Sequence, residues 1–586
     1  VPGDEQVTLY WDAIAETSYD LISESYDFEG YVVYRSIEPS FLDQQTITDA
    51  NGSKFLFEPL KMATGSPARF DLVNDYSGLS TIPYGDRGVF YNLGSNTGLR
   101  HSFIDSNNVI NGQTYYYAVV SYDHGDDSLG IAPSECSKTI TLNPETNEVI
   151  LDVNTKQIVP RVPSAGYVPG NINENFIEHV SGVATGTIVI EVIDPRAIED
   201  ENMFEVSFME SPTSYSVKDM KTVADELVAK LDQFVRLDYG NIDSLSFSLS
   251  DINGNNTYES GIDYELIPIS GKIRAIPNGA LLDGVTYLAS YMYYGVVASS
   301  LLNMEESNPV FDGLKIYAQN QILALDETQM AWSAGSPTNW EPQVKPFNNI
   351  GTKMYPADYE VRFFDDIADS SARPNYGYVK AKFQVWETTA GLVPEQRKVI
   401  ILELPPEDSL WTPGDRAVIL QGDETSTTSW EFTFLEQAEG GIAPNSGDIY
   451  YIATTRPFTE GDKYQFTTSA SLINNEQAIN KLDNISVVPN PYVVTNVLEP
   501  LDRQNPRDRG PRRVYFNHLP KDCIIRIYTI TGELVKTLAH HSSMDDGKEF
   551  WDLTTDDNFP ISYGIYLFHV DAEDLGESIG RFAVIK

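Results

Sequence analysis

Alternating apolar and polar residues run through most of this chain, and the alternation predicts strands. Val7, Leu9 and Trp11 fall on one side of an extended segment, with Thr8, Tyr10 and Asp12 on the other. That period of two marks a half-buried strand. Residues 30–35 (Gly-Tyr-Val-Val-Tyr-Arg) and 113–122 repeat it, the latter just after the turn pair Asn111-Gly112. Residues 186–195 and 204–208 read as a strand pair, and 264–267 and 287–294 as further strands. Between 311 and 480 the candidates are 359–364, 379–386, 399–404, 417–421, 430–434, 448–454 and 463–468, parted by turns such as Pro413-Gly414-Asp415. One stretch reads differently. Ser216 can cap a helix, and Val217, Met220, Val223, Leu227, Val228, Leu231 and Phe234 recur three and four apart. The spacing predicts an amphipathic, core-facing helix over 216–236.

The fold class expected is therefore mainly β: tandem β-sandwich domains with one amphipathic helix in the second module. Four modules follow from breaks in the pattern, at 1–143, 144–310, 311–480 and 481–586, with Pro160, Pro163, Pro169 and Gly170 making a linker near 144–180. The first module resembles a fibronectin type III domain. Trp11 stands in the early strand, a tyrosine of 115–117 at the tyrosine corner, and 133–142 supplies the last strand. Residues 44–100 exceed the usual size of that domain and read as an insertion packed as a loop or small subdomain.

The last hundred residues carry the most specific pattern. Val487-Val488-Pro489-Asn490-Pro491-Tyr492 opens it, and Tyr528-Thr529-Ile530-Thr531-Gly532-Glu533-Leu534-Val535 forms a hairpin. Trp551-Asp552, Gly564-Ile565-Tyr566 and an apolar ending on Lys586 follow. These elements resemble the Ig-like C-terminal sorting domain of proteins exported by the bacterial type IX secretion system, and also the Ig-like domain of flagellar hook-capping proteins. The resemblance implies an address read by outer-membrane secretion machinery, with the cargo left at or beyond the surface of a Gram-negative-type bacterium.

Composition narrows the function classes. The chain has 586 residues, enough for several cores, and 41% are hydrophobic. Its 40 basic and 85 acidic residues leave a net charge of −45, which repels nucleic acid and anionic membrane surfaces. No apolar run reaches the roughly 18 residues of a transmembrane helix. Cys136 and Cys523, the only cysteines, rule out a disulfide framework and read as small buried hydrophobes. The start at Val1-Pro2-Gly3 suggests a processed product or the C-terminal part of something longer.

Candidate chemistry is sparse. The seven histidines form no His-Glu-x-x-His helix, and neither a nucleophile elbow nor a phosphate-binding glycine loop is present. No catalytic residues and no required cofactor are expected. Calcium is the one inorganic ligand to consider, because Asp251, Asn253, Asn255 and Glu259 place oxygens at positions one, three, five and nine of a loop. The glycine of an EF-hand is displaced from position six, and Ile262 stands where its bidentate Glu belongs; a tight Asn/Gly turn is the alternative. Asp365, Asp366 and Asp369 form a weaker acidic cluster, as do Asp123, Asp126 and Asp127. His540-His541 followed by Asp545-Asp546 reads as an exposed hairpin loop. Arg503, Arg507, Arg509, Arg512 and Arg513 reverse the charge locally. They are an interaction candidate, for the chain's own carboxylates or for an acidic neighbour or second copy.

The expectation is a secreted, non-catalytic structural or adhesive protein, with self-assembly into a layer or fibre among its outcomes. Residues 44–100 and 287–294 are the first candidates for contacts, although tyrosines in the latter segment serve more often as core than as binders. Two other readings stay open: the accessory and sorting portion of a larger secreted hydrolase, or a carbohydrate-binding protein that takes surface glycans.

Overall fold

Two β-sheets share the first set of alternating segments in the computed structural model. The structure describes all residues except 49–53, 85–87, 143–148, 174–176, 211–212, 232, 306, 349–353, 373–377, 406, 422–426, 494–511 and 586. One sheet holds Pro2–Gly3, Gln6–Tyr10 and Ser102–Asp105. The other holds Thr155–Ile158, Tyr115–Asp123, Phe28–Ser36 and Arg69–Asp71 in that order. Val7, Leu9, Val33, Tyr115 and Tyr117 fill the space between them. The Tyr115 hydroxyl accepts from the Ile110 amide at 3.0 Å, just upstream, in the manner of a tyrosine corner.

The insertion is structural. Phe41, Tyr91 and Leu93 build a second core with Val32, Tyr34, Tyr116 and Ala118 on the outer face of the larger sheet, and Arg69–Asp71 joins that sheet at its edge. Residues 31–34 and 115–118, expected as half-buried strands, are buried on both faces because the two cores enclose them. The module also extends further than 143. Ile140–Leu142 only makes a hairpin with Val149–Leu151, and the last strand of the sheet is Thr155–Ile158, paired to Tyr115–Asp123.

The expected helix at 216–236 is a strand. Thr213–Val228 pairs with Met203–Glu210 on one side and Thr286–Ser299 on the other. Tyr215, Val217, Asp219, Asp225, Leu227 and Ala229 are all buried, which is an alternation. A bulge at 220–222 interrupts it without changing which face points inward, and two of the inward residues are aspartates. Counting only apolar residues across that interruption, with outward Met220 and Val228 included, yields spacings of three and four, which imitate a helix. The pair expected from 186–195 and 204–208 is also re-sorted: Thr187–Val192 pairs with Leu314–Gln319, and Met203–Glu210 with Thr213–Val228 and Lys463–Ser469.

That long sheet carries two cores. Phe204, Val206, Tyr215, Val217 and Val296 pack against Ile188, Leu314 and Ile316 of one opposing sheet. Leu227, Leu249, Tyr287 and Tyr291 pack against Ile273 and Tyr264 of another. Tyr287, Tyr291 and Tyr293 are therefore core residues, and the contact role expected for 287–294 does not hold for them. The next sandwich pairs a sheet ordered Ala331–Trp332, Ile449–Ile452, Tyr359–Phe363, Phe383–Glu387, Glu395–Arg397 with one ordered Glu341–Pro346, Thr427–Leu435, Arg416–Gln421, Val399–Leu402. Its core is aromatic, around Phe363, Phe383, Trp411, Trp430, Phe432 and Phe434. It is an excursion from the preceding module: Lys463–Ser469 returns to the long sheet, and Phe466 stacks on Phe204 at 5.1 Å. The expected boundary at 310 thus cuts through one folded unit, and Lys463–Ser469, assigned to the third module, belongs to the second.

Residues 160–168, read as a linker, form an ordered strap. Arg161 donates its amide to Gly3 at 3.1 Å, and Pro160 accepts from Gly112 at 2.8 Å, tying the strap to the first sandwich. Val162 accepts from Gly547 at 2.7 Å, and Ser164 and Ala165 donate to Met544 and Leu519, tying it to the C-terminal module. Tyr167–Val168 then pairs with Leu472–Ile473. Arg161 adds ion pairs to Asp545 at 2.8 Å and Asp546 at 3.3 Å. The expected exposed hairpin loop at 540–546 is instead the end of the strand Leu534–His541, with His540 buried, followed by this junction.

Two outcomes test this topology. Phe466→Ala should cost the module built on Met203–Glu210 about 3–5 kcal/mol. Hydrogen exchange should accelerate there and in Leu314–Gln319, and much less in Phe383–Glu387. The second concerns the strap. Burial raises the Asp545 carboxyl, but the Ser543 hydroxyl and the Arg161 and Arg196 charges outweigh it and hold the group below its ordinary 3.8. Its contribution is present above the unfolded carboxylate value and is lost as pH falls through the folded one. Arg161→Ala should speed exchange at the Gly547 and Ala165 amides about fivefold at pH 7, the worth of a half-exposed pair. Relative to intrinsic rates, wild type and variant should converge below pH 3.8.

Candidate functional site

Asn490, Tyr492, Trp551 and Tyr566 of the C-terminal motif converge on its final strand. Ser486–Val488, Val514–Asn517 and Glu549–Trp551 form one sheet; Tyr492–Val493, Gly576–Ile585, Gly564–Ala572, Asp522–Thr529 and Leu534–His541 form the other, in that order. Pro489-Asn490-Pro491 carries the chain from the first sheet to the second. The Asn490 side chain accepts from the Ala583 amide at 3.1 Å and donates to the Arg581 carbonyl at 3.3 Å. Tyr492–Val493 then runs parallel to Val584–Ile585, so the last strand is held on both edges. Trp551 is buried, edge-on to Phe582 at 6.0 Å, and its indole donates to Thr554 at 2.8 Å. Gly532 takes the positive φ of the turn between Asp522–Thr529 and Leu534–His541. Outside the sandwich, Leu534, Ile565 and Ile579 remain exposed, the last at 74%.

The calcium candidates are arranged as turns. Asp251 accepts hydrogen bonds from the amides of Asn253, Asn255 and Asn256 at 2.9–3.1 Å and from the Asn256 side chain at 2.7 Å. These donors, the Asn255 amide foremost, hold its carboxyl below the ordinary value. Glu259 is exposed, with its amide bound to Asp263. Asp123 accepts from Gly125 and Ser134, Asp126 from Ser128 and Leu129, and Asp127 from Thr81. Asp369 pairs with Lys398 at 2.6 Å, while Asp365 and Asp366 are exposed. Among the described residues no three His, Cys, Asp or Glu side chains gather closely enough to hold a metal ion.

The arginine candidates divide. Arg503, Arg507 and Arg509 lie outside the described residues. Arg512 is exposed, and Arg513 sits over the Phe550 ring at 5.2 Å. Of the cysteines, Cys523 is buried and burial pushes its thiol up to about 12. Cys136 is exposed, contrary to the expectation of two buried hydrophobes. The histidines are distributed singly: His101 meets Glu16, His179 meets Asp462 at 3.0 Å, His540 meets Glu549 at 3.1 Å, and His541 meets Asp522 at 2.8 Å.

A cleft that no sequence pattern announced lies between the first sandwich and the second module, with a volume of about 1450 Å³. Trp11, Tyr31, His101, Asn154, Arg161 and Asn308 stand on its walls. Trp11 packs edge-on to Tyr31 at 5.7 Å, and Tyr31 likewise to His101 at 5.7 Å. The Tyr31 hydroxyl donates to Glu16 at 3.1 Å; burial and the Glu16 charge raise its pKa far above the ordinary value. Trp11 Nε1, His101 Nδ1, Asn154 Oδ1 and Arg161 Nε are buried without a hydrogen-bond partner in the protein. Aromatic faces beside these donors and acceptors suit a polar ligand. Only Trp11 carried a readable signal, as an inward residue of the first strand. The rest meet through tertiary packing.

No protein-family model matches the chain, and no curated protein matches it. Among solved structures, one that is similar over 89% of this chain and 78% of its own is PorZ, a surface component of the type IX secretion system of Porphyromonas gingivalis, at 11% identity and a TM-score of 0.16. A second is the BSP domain of a biofilm-associated protein, at 11% identity, a TM-score of 0.11, and coverage of 100% of this chain and 98% of that one. Scores this low leave function to be argued from the residues themselves.

Proposed function

We propose that this chain is a non-catalytic protein of the outer surface or extracellular space of a Gram-negative-type bacterium, delivered there through its C-terminal module. The observation that supports the reading is the clamp on the final strand. The residues that carry the sorting-domain resemblance, Asn490, Tyr492, Trp551 and Tyr566, are those that hold Gly576–Ile585 in place. A presented strand with exposed Ile565 and Ile579 on its sheet gives secretion machinery a fixed, partly apolar surface to read. The upstream sandwiches are then cargo, braced by the strap into a display platform.

The test uses the whole chain behind a signal peptide in a bacterium with a type IX system. Protease accessibility on intact cells is expected for wild type, with periplasmic retention in a translocon-deficient strain. Ile579→Asp should retain most of the protein while leaving its thermal midpoint unchanged. Equal surface exposure with and without the translocon would overturn the proposal.

The cleft favours a second reading, carbohydrate binding by the cargo, because four partnerless polar atoms sit beside aromatic rings there. Titration with neutral oligosaccharides, followed by tryptophan fluorescence, should saturate. Trp11→Phe keeps an aromatic face and removes one donor, so affinity, read for this variant by calorimetry, should fall about fivefold. An unchanged affinity would discard this reading.

A further inference from the structure

The bulge that disguised a strand as a helix also opens a cavity. Between the cross-strand pairs Asp219↔Tyr293 and Val223↔Tyr291, residues 220–222 face the single Met292. Such bulges bend a strand and re-aim its side chains. The result is a cavity of about 510 Å³ within the second module. Five carboxylates line it, those of Glu199, Asp219, Asp225, Asp238 and Asp312, against one ammonium, that of Lys221, which pairs with Glu199.

The remaining partners of these carboxylates are neutral. Asp219 accepts from the Lys221 amide at 2.8 Å and the Asn202 side chain at 3.0 Å. Asp312 accepts from the Tyr293 hydroxyl at 2.8 Å, and Asp225 from the Tyr291 hydroxyl and the Asp238 amide. Burial first, then the Asp219 and Glu199 charges, hold the Asp312 carboxyl above its ordinary value, against the pull of the Tyr293 hydroxyl. Asp225 does the same to Asp238. Negative charge here exceeds what the protein itself neutralises.

Two further observations give the missing charge a shape. Asn202 also lines the cavity and is only 4% exposed, and its Oδ1 has no partner. Because its Nδ2 is committed to Asp219, the amide is oriented with the oxygen free to accept. Tyr239 and Tyr293 stack at 4.0 Å, 19° from parallel, on the same wall. An acceptor set spread around an aromatic pair differs from a metal shell, and among the described residues no three acidic or His/Cys side chains converge as a metal requires. A planar cation with several N–H donors fits such a set, since it can bond to spaced acceptors and lie on a tyrosine face.

We propose that this cavity binds a guanidinium group, carried either by a small guanidino compound or by an arginine side chain of a partner protein. The assignment stands apart from the route of export and survives if that route is wrong.

Calorimetric titration of the full chain at low ionic strength, with agmatine as the free probe and a blocked Ala-Arg-Ala tripeptide as the peptide probe, tests it. Saturable binding of one equivalent is expected from at least one probe, and the tighter of the two identifies the source. Asp312→Asn should weaken it about tenfold or more. Tyr239→Ala, at a ring already 36% exposed, should weaken it with the thermal midpoint preserved. The distant, exposed Glu439→Gln should change nothing. The proposal is overturned if neither probe saturates, if both cavity variants bind like wild type, if cadaverine binds as tightly as agmatine, or if Ca²⁺ displaces agmatine at constant ionic strength.

Discussion

The backbone of residues 160–168 is what the rest of the molecule depends on. Its amides and carbonyls bond in turn to Gly3 and Gly112, to Met544, Leu519 and Gly547, and to Leu472–Ile473 and Asn474. Separate folding units meet on one extended segment. A buried amide left unpaired costs more than a typical hydrogen bond contributes, so the strap holds its neighbours at a fixed spacing. Val162, Ser164 and Ala165 are accordingly buried, although the prolines around them read as a linker or irregular surface segment. The cleft and the seat of the C-terminal module both follow from this arrangement.

Charge is handled in the same local way. A net charge of −45 would strain a compact chain through self-repulsion, yet many carboxylates serve as turn caps. Asp462 accepts from the amides of Ala184 and Thr459, Asp415 from those of Leu404 and Thr412, and Asp251 from three consecutive-turn amides. Each places negative charge where backbone donors already point. The sandwiches need many tight turns, and the acidic composition supplies them. The cavity bounded by Asp219 and Asp312 is the contrast, because there the acids meet one another.

The candidate site was only partly legible. The C-terminal motif could be read because its elements are short-range: a Pro-Asn-Pro crossing, a Gly532 turn, a Trp551 strand. What Asn490 does could not be read, since its partners Arg581 and Ala583 are ninety residues away in sequence. The acidic loop at Asp251 had the spacing of a cation loop, but spacing cannot say whether backbone amides will occupy the carboxylate first. Trp11 and Asn154 of the first sandwich share a cleft with Asn308 only because the strap brings two modules together.

Local periodicity determined that the chain is built of strands, and it located most of them, because a strand with one buried face must alternate wherever it occurs. It failed at 216–236, where two buried aspartates and a three-residue bulge masked the alternation. Only the tertiary structure decided which strands pair. Strand pairing joins segments as distant as Met203–Glu210 and Lys463–Ser469, and a period of two is the same whichever neighbour the strand finds. Fold class is a short-range property written residue by residue; module boundaries, the cleft and the acidic cavity are long-range ones, set by which faces could be buried together.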